Sequence, residues 1–413
     1  MDSAANILIL LTFLAEVVLL TTLDKRLWGT LFTPLNMLSI PYTVVLLLML
    51  LVQERLDFVA FYYPSLLIWM GGLLLTAIPS WIIGYNYRKR GGTTLFNDDR
   101  PDKERTLMIF CAVLIIPFLF RLKGMMSSVI LSFGSDEFGE NFATYGIYGH
   151  LLHLLIASSI VLFSCVRKGN RVFPITIIVA VAFLAFVNQV KSWVIIPIIA
   201  GLLLCLLTNR IHLSAKMLMG IGIGGFAIFV SSYLVMFTYG NDLEYNDNIG
   251  LIIVEHEYHY VGSGVLGLSE DARLGFLETP DTDVLFAPFV NIIRAITGET
   301  YVSPINPVYL EISSASALGS NVRTFFGTIY VNSQYGSFIP LVLFFSSLFY
   351  MLRVAALRCQ SVFVTAIDAW VCALLAMGWF EFYFFHLSTF EIPVFLWVLN
   401  VLDRIRIKRK EAA

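Results

Sequence analysis

Long apolar runs separated by short polar segments make up most of the chain. Runs long enough to cross about 30 Å of hydrocarbon begin near Asn6, Pro34, Pro64, Leu107, Ile147, Val172, Ser192, Leu213, Ser337, Ser361 and Thr389. Lipid offers no hydrogen-bond partner, so each run must satisfy its backbone internally, and a helix does this. The pattern therefore predicts an all-α polytopic membrane protein of about 11 transmembrane helices. No basic residue precedes the first run, and it is too long for a signal-peptide core, so it is read as a retained helix. The whole chain, 1–413, reads as one integral membrane domain, with residues 239–323 forming a large hydrophilic loop within it.

Charge orients these spans, because basic residues near span ends resist translocation. Of the 27 Lys and Arg residues, 20 fall in alternate loops and the C-terminal tail: Lys25 and Arg26, the run from Arg88 to Arg105, Arg167 to Arg171, Arg210 and Lys216, Arg353 and Arg358, and Arg404 to Lys410. Eleven spans with these loops on one face place the N-terminus outside and the C-terminus in the cytoplasm. The 239–323 loop then faces outward with its 12 acidic residues. Composition agrees with a lipid environment: 58% of residues are hydrophobic and 14% are charged, against about 25% charged in soluble domains. None of the five cysteines lies in the outward loop, so no disulfide framework is implied.

Within the outward loop, VLFAPFVNIIRAIT (284–297) spaces Phe286, Phe289, Val290 and Ile293 as one helical face, which suits a helix in the membrane interface. Further on, NVRTFFGTIYVNSQYGSFIP reads as a helix interrupted at Gly336 before the next span. Broken backbone at membrane depth is tolerated where it is buried in protein or lines a wet cavity. Seven basic residues stand on the outward side: Arg55, Arg121, Lys123, Lys191, Arg273, Arg294 and Arg323. Individually each can snorkel to the interface. Together they suit an anionic headgroup such as a lipid diphosphate, which guanidinium and ammonium groups bind well.

EHEYHY (255–260) concentrates ionisable groups in the outward loop. A zinc peptidase helix needs His-Glu-x-x-His, and here the second histidine comes one position early. His256 and His259 have no Cys or further His nearby in the loop to complete a metal shell. General acid–base work needs one suitably held carboxylate or imidazole, so Glu257 or His259 is a candidate base. The competing reading is a solvated or hydrogen-bonded loop, with Glu270, Asp271 and Glu311 as the next bases. The DTD triplet at 281–283 has the form of a metal-holding carboxylate pair, but nucleotide sugars belong to the other side of the membrane.

The stretches VNQVKSWVIIPIIAGLLL, the loop segment from Glu255 to Leu268, and SNVRTFFGTIYVNSQYGSFIPLVLFF resemble the Wzy-type polymerases of bacterial O-antigen, common-antigen and capsular repeat units. Lys191 stands where that family often has Arg, and the glycines of its usual turn are missing. The resemblance implies a GT-C-like membrane glycosyltransferase on the outer face of the bacterial inner membrane. It would move a growing glycan from one undecaprenyl diphosphate onto the non-reducing sugar of a second lipid-linked repeat unit. It implies Glu257 or His259 as base, and Lys191, Arg273, Arg294 and Arg323 as diphosphate ligands with Arg121 as an outer member. No metal, nucleotide or other cofactor is implied. Partners would be the two lipid-linked oligosaccharides, membrane lipid, a chain-length regulator and a flippase, with no nucleic acid. A transporter of lipid-linked sugars is the rival reading, carried by Glu16, Asp368 and Glu381 within apolar runs. An O-antigen ligase would differ only in its acceptor.

Overall fold

The computed structural model describes residues 3–127, 138, 140–144, 146–167, 169–188, 191–214, 216, 219–220, 222–228, 230–231, 249–277, 279–313, 319–333 and 336–405. Helices occupy ten of the predicted runs: α1 (Ser3–Trp28), α2 (Pro34–Val52), α3 (Leu66–Lys89), α4 (Glu104–Met126), α5 (Gly146–Phe163), α6 (Val172–Val187), α7 (Ser192–Leu207), α11 (Phe338–Cys359), α12 (Val362–Ala376) and α13 (Leu387–Arg404). The run from Leu213 is described in part, and residues 216, 219–220, 222–228 and 230–231 are helical. The 239–323 loop contributes α8 (Ile249–Leu274) and α9 (Ala287–Thr297), and α10 (Phe325–Asn332) follows it. The loop's only described strands are β1 (Leu310–Glu311) and β2 (Gly319–Ser320), an antiparallel pair. Among the described residues, α1 to α5 and α11 are long and apolar enough to cross a membrane, while α6, α7, α9 and α12 are shorter apolar helices. The protein is a helical membrane protein.

The chain divides into two compact units that alternate in sequence. The first comprises Met1–Thr94, Val254–Val354 and Leu374–Phe390; the second comprises Leu95–Ile253, Ala355–Ala373 and Glu391–Ala413.

In the first unit, α1, α3 and α11 share a buried polar cluster. The Trp28 indole donates to Ser80 Oγ at 2.9 Å, Ser80 donates to the Asp24 carboxylate, and Tyr350 Oη donates to Asp24 Oδ1 at 3.2 Å. Tyr350 Oη also accepts from the Leu35 amide at 3.2 Å, one of the donors that a helix start leaves unsatisfied. Polar groups out of water are costly unless paired, so this network fixes which helix faces meet. An aromatic layer lies beside it. Tyr42 stacks on Trp69, Trp69 meets Phe326 edge-on, and Gly72 supplies the space, since a Cβ there would sit 2.5 Å from the Phe326 ring.

The predicted interruption before α11 is present. The helix α10 ends at Asn332, Gly336 has a φ of +91°, and α11 starts at Phe338. Thr324 begins α10 with a φ of +64° and accepts from Gly327 N through its hydroxyl at 3.2 Å. The α9 helix lies within the run predicted to be helical, although Phe286 precedes it and, of the predicted face, only Phe289 and Ile293 are exposed. Pro288 stands in its first turn and Gly298 ends it in the left-handed conformation that a helix stop favours. Phe289, Ile292, Ile293 and Ile296 form an exposed apolar stripe along it.

In the second unit α4, α5, α6 and α7 pack together, with Gly201 of α7 set against the Phe163 ring of α5. One end of this unit is laced by polar contacts. Asn170 donates to Glu104 at 3.0 Å, the Arg210 guanidinium meets Asp98 at 2.6 Å, and the Asp403 carboxylate accepts from the backbone of Asp102 and Lys103.

Helix α8 is pressed against backbone by two of its glycines. A Cβ on Gly264 would lie 2.3 Å from the carbonyl oxygens of both Trp379 and Phe380, and one on Gly267 would lie 2.5 Å from Val322 O. Backbone cannot yield as a flexible side chain can. Gly264→Ala is therefore expected to lower stability by about 1–3 kcal/mol, the usual cost of overpacking. Gly71→Ala, where a Cβ meets nothing within 4 Å, is expected to be neutral or slightly stabilising through better helix propensity. Thermal unfolding of the detergent-solubilised variants checks the difference, and equal midpoints would mean that α8 does not sit this close.

Candidate functional site

EHEYHY is helical, and the loop expected around it is a correction to make. Residues 255–260 lie inside the 26-residue α8 and are half-buried. The ring of His259 contacts Gly319 O through Nε2 at 3.1 Å. A carbonyl oxygen can only accept, so Nε2 carries the hydrogen and Nδ1 is the atom left to take a proton. Burial holds the His259 pKa below its usual value of 6.5, partly opposed by the Gly319 bond, and the neighbouring His256 lowers it further. Burial raises Glu257 above its usual 4.5. At neutral pH the imidazole is thus a neutral acceptor, and the carboxylate is a stronger base than a free glutamate.

The hairpin that His259 touches is locked to α8 by Arg323. This guanidinium is 2% exposed and its carboxylate partner, Asp271, is 0% exposed. Nε donates to Asp271 Oδ2 at 2.7 Å, Nη1 reaches Ser320 O and Val322 O, each at 3.1 Å, and Nη2 reaches Val308 O at 3.1 Å. Asp271 also accepts from Leu277 N at 3.3 Å.

Two further candidate cations of the first unit, Arg273 and Arg294, are paired too. Arg273 donates through Nε to Glu270 at 2.8 Å on the same helix. Arg294 meets Asp283 Oδ2 at 2.9 Å and Thr300 O at 2.9 Å. The DTD triplet is thereby explained, since Asp281 caps a helical turn by accepting from Asp283 N at 2.9 Å while Asp283 pairs with Arg294. Arg294 and Arg323 line a cleft of about 860 Å³ together with Asp281, Tyr301, Glu381 and Phe385. Glu257, His259 and Arg273 are not among its lining residues.

Arg121 and Lys191 belong to the second unit. Arg121 donates to Asn141 O at 2.5 Å and lies 4.2 Å from the centre of the Tyr148 ring, a cation–π arrangement. Lys191 immediately precedes α7, and burial pushes its pKa down to about 8. The seven candidate residues thus fall into three settings: Glu257 and His259 on α8, Arg294 and Arg323 in the cleft with Arg273 outside it, and Arg121 and Lys191 in the second unit.

One cluster escaped the sequence reading. His150 and His153 on α5 both turn Nδ1 toward Glu391, at 2.9 and 2.6 Å. The pair HLLH gives the one-turn spacing, but its carboxylate partner is 238 positions away, so no local pattern announces it.

Residues 57–409 match the family of unknown function DUF6337. The chain belongs to that family. No curated protein and no solved structure matches it.

The geometry separates two kinds of arginine. Removing one partner of a buried pair leaves an uncompensated charge and typically costs about 3–5 kcal/mol. Arg323→Ala is expected to lose stability on that scale, whereas Arg273→Ala, on an exposed side chain, is expected to leave the unfolding midpoint unchanged. Thermal unfolding with the level of protein in the membrane measures both; an Arg323→Ala midpoint equal to the parent would mean that the pair does not hold the hairpin.

Proposed function

We propose that the protein is a membrane glycosyltransferase that polymerises undecaprenyl-diphosphate-linked oligosaccharide repeat units into a surface polysaccharide on the outer face of a bacterial inner membrane. The observation that carries this reading is the outward-loop cleft, in which Arg294 and Arg323 stand beside the polar groups of Asp281 and Glu381. In this reading eleven spans place the N-terminus outside and the C-terminus in the cytoplasm, so that the cleft and α8 face the lipid-linked substrates. The exposed stripe of α9 rests in the membrane interface, close to where a lipid diphosphate emerges.

Chemically, the acceptor hydroxyl loses its proton to His259 or Glu257 and its oxygen attacks the anomeric carbon of the donor glycan. A new glycosidic bond forms as the bond from that carbon to the diphosphate oxygen breaks. The electron pair leaves with the lipid diphosphate, whose developing charge the cations stabilise. Lys191, with its pKa near 8, remains mostly protonated at neutral pH, as the diphosphate-ligand role given to it in this reading requires. Deletion of the gene followed by gel analysis of the surface polysaccharide tests the assignment. Chains carrying a single repeat unit are expected; core bearing no antigen would instead identify a ligase or a flippase.

The two candidate bases are best separated by substitution. Either one works in its deprotonated form, so activity is lost as pH falls through its pKa. Because His259 is shifted down from 6.5 and Glu257 up from 4.5, their acid limbs approach each other and a pH profile alone does not discriminate. If His259 is the base, His259→Gln loses about 10²- to 10⁴-fold in rate while Glu257→Gln stays within about tenfold. The reverse holds if Glu257 is the base. Rates of repeat-unit polymerisation by the purified variants decide, and two near-normal variants would remove both residues from the chemistry.

A further inference from the structure

We propose that His150, His153 and Glu391 bind one divalent transition-metal ion of the zinc class, at a site in the second unit that the polymerase reading does not use. His150 and His153 are three residues apart on α5, so both imidazoles leave the same helix face. Their Nδ1 atoms approach opposite oxygens of the Glu391 carboxylate, at 2.9 and 2.6 Å. The three ligand atoms lie within 4.8 Å of one another. Two imidazole nitrogens and one carboxylate oxygen are the donor set of open zinc sites and of facial sites for other first-row ions. Bonds of about 2.0–2.2 Å to a common ion require these atoms to stand somewhat further apart than direct hydrogen bonds allow. A retreat of less than about 1 Å by each side chain seats the ion. His150 is 57% exposed, which gives that ring freedom to move, gives the ion an entry path, and leaves room for water as a further ligand.

The surroundings of Glu391 leave the site to these three groups. Among the described residues, the only side-chain partners of Glu391 are these two imidazoles, and no Lys or Arg pairs with it. A dication held between these groups would sit directly against the half-buried Glu391 carboxylate. The donor set also selects among ions. Calcium and magnesium prefer all-oxygen shells, and two imidazoles shift preference toward zinc, cobalt, nickel or copper. On one flank His153 lies 5.7 Å from the Trp193 ring, which stacks on the buried Trp370 at 6.1 Å. This aromatic wall limits where His153 can turn and keeps its nitrogen aimed at the carboxylate.

The test uses full-length protein purified in detergent without a polyhistidine tag. Zinc content after equilibration and desalting, and the visible absorption of bound cobalt, are measured for the parent and for His150→Ala, His153→Ala, Glu391→Gln and His212→Ala. The expected result is one ion per parent chain and a loss of affinity of more than about 100-fold in the first three variants, beyond the 10- to 100-fold typical of losing a partner that only orients a ligand. His212→Ala should bind like the parent. Because His150 is largely exposed, its alanine variant is expected to keep the fold even if His153→Ala does not, and its unfolding profile without metal verifies that. Parent protein that binds no more zinc than His150→Ala would overturn the proposal and leave the three side chains as a hydrogen-bonded clamp only. Metal content is read independently of polymerisation, so failure of the polymerase reading leaves this result intact.

Discussion

A charge removed from water must find its compensation inside the protein, and the Arg323–Asp271 pair sets much of the architecture of the first unit through that requirement. Both side chains are almost completely buried, and transfer of either one alone would cost several kcal/mol. The guanidinium can be satisfied only if Val308, Ser320 and Val322 present their carbonyls to it while Asp271 of α8 approaches from another side. This fixes the path of the 239–323 loop around the β1–β2 pair. The glycines of α8 are the steric complement of the same constraint, since Gly267 lets the helix come close enough to Val322 O for the ion pair to form behind it. The contact from His259 to Gly319 O follows from that placement. The candidate base is therefore oriented by a hairpin that the ion pair holds.

The membrane character and the helical runs were legible because both follow from local rules. Twenty apolar residues in sequence carry their own explanation, and the stop at Gly336 and the amphipathic α9 are signalled within a few positions. Long-range pairings were not legible in the same way. Nothing near Arg323 marks Asp271, 52 positions earlier, as its partner, so a guanidinium placed at a membrane edge looked available for ligand. Helical structure in EHEYHY was missed for a related reason. Its polar face seemed to mark a wet loop, yet Gly264 and Gly267 give the helix a close-packed face against backbone and Gly262 lies close to Met49 elsewhere on it, and glycine lowers helix propensity just where the helix needs a thin side.

Pairing also changes what each cation of the cleft could do for an anionic ligand. Arg323 cannot leave Asp271 without stranding a buried carboxylate, so its contribution to the cleft is a fixed field and not an exchangeable contact. Arg294 differs, because its partner Asp283 is about half exposed and an ion pair in that setting is worth at most about 1 kcal/mol. A diphosphate offers more charge and more acceptor oxygens than one carboxylate, and a guanidinium fork matches it bidentately. In the polymerase reading proposed above, a diphosphate would take the place of Asp283, with the displaced carboxylate returned to water. In that reading Arg294 would be the group that grips and releases a substrate, while Arg323 keeps the wall of the cleft in place.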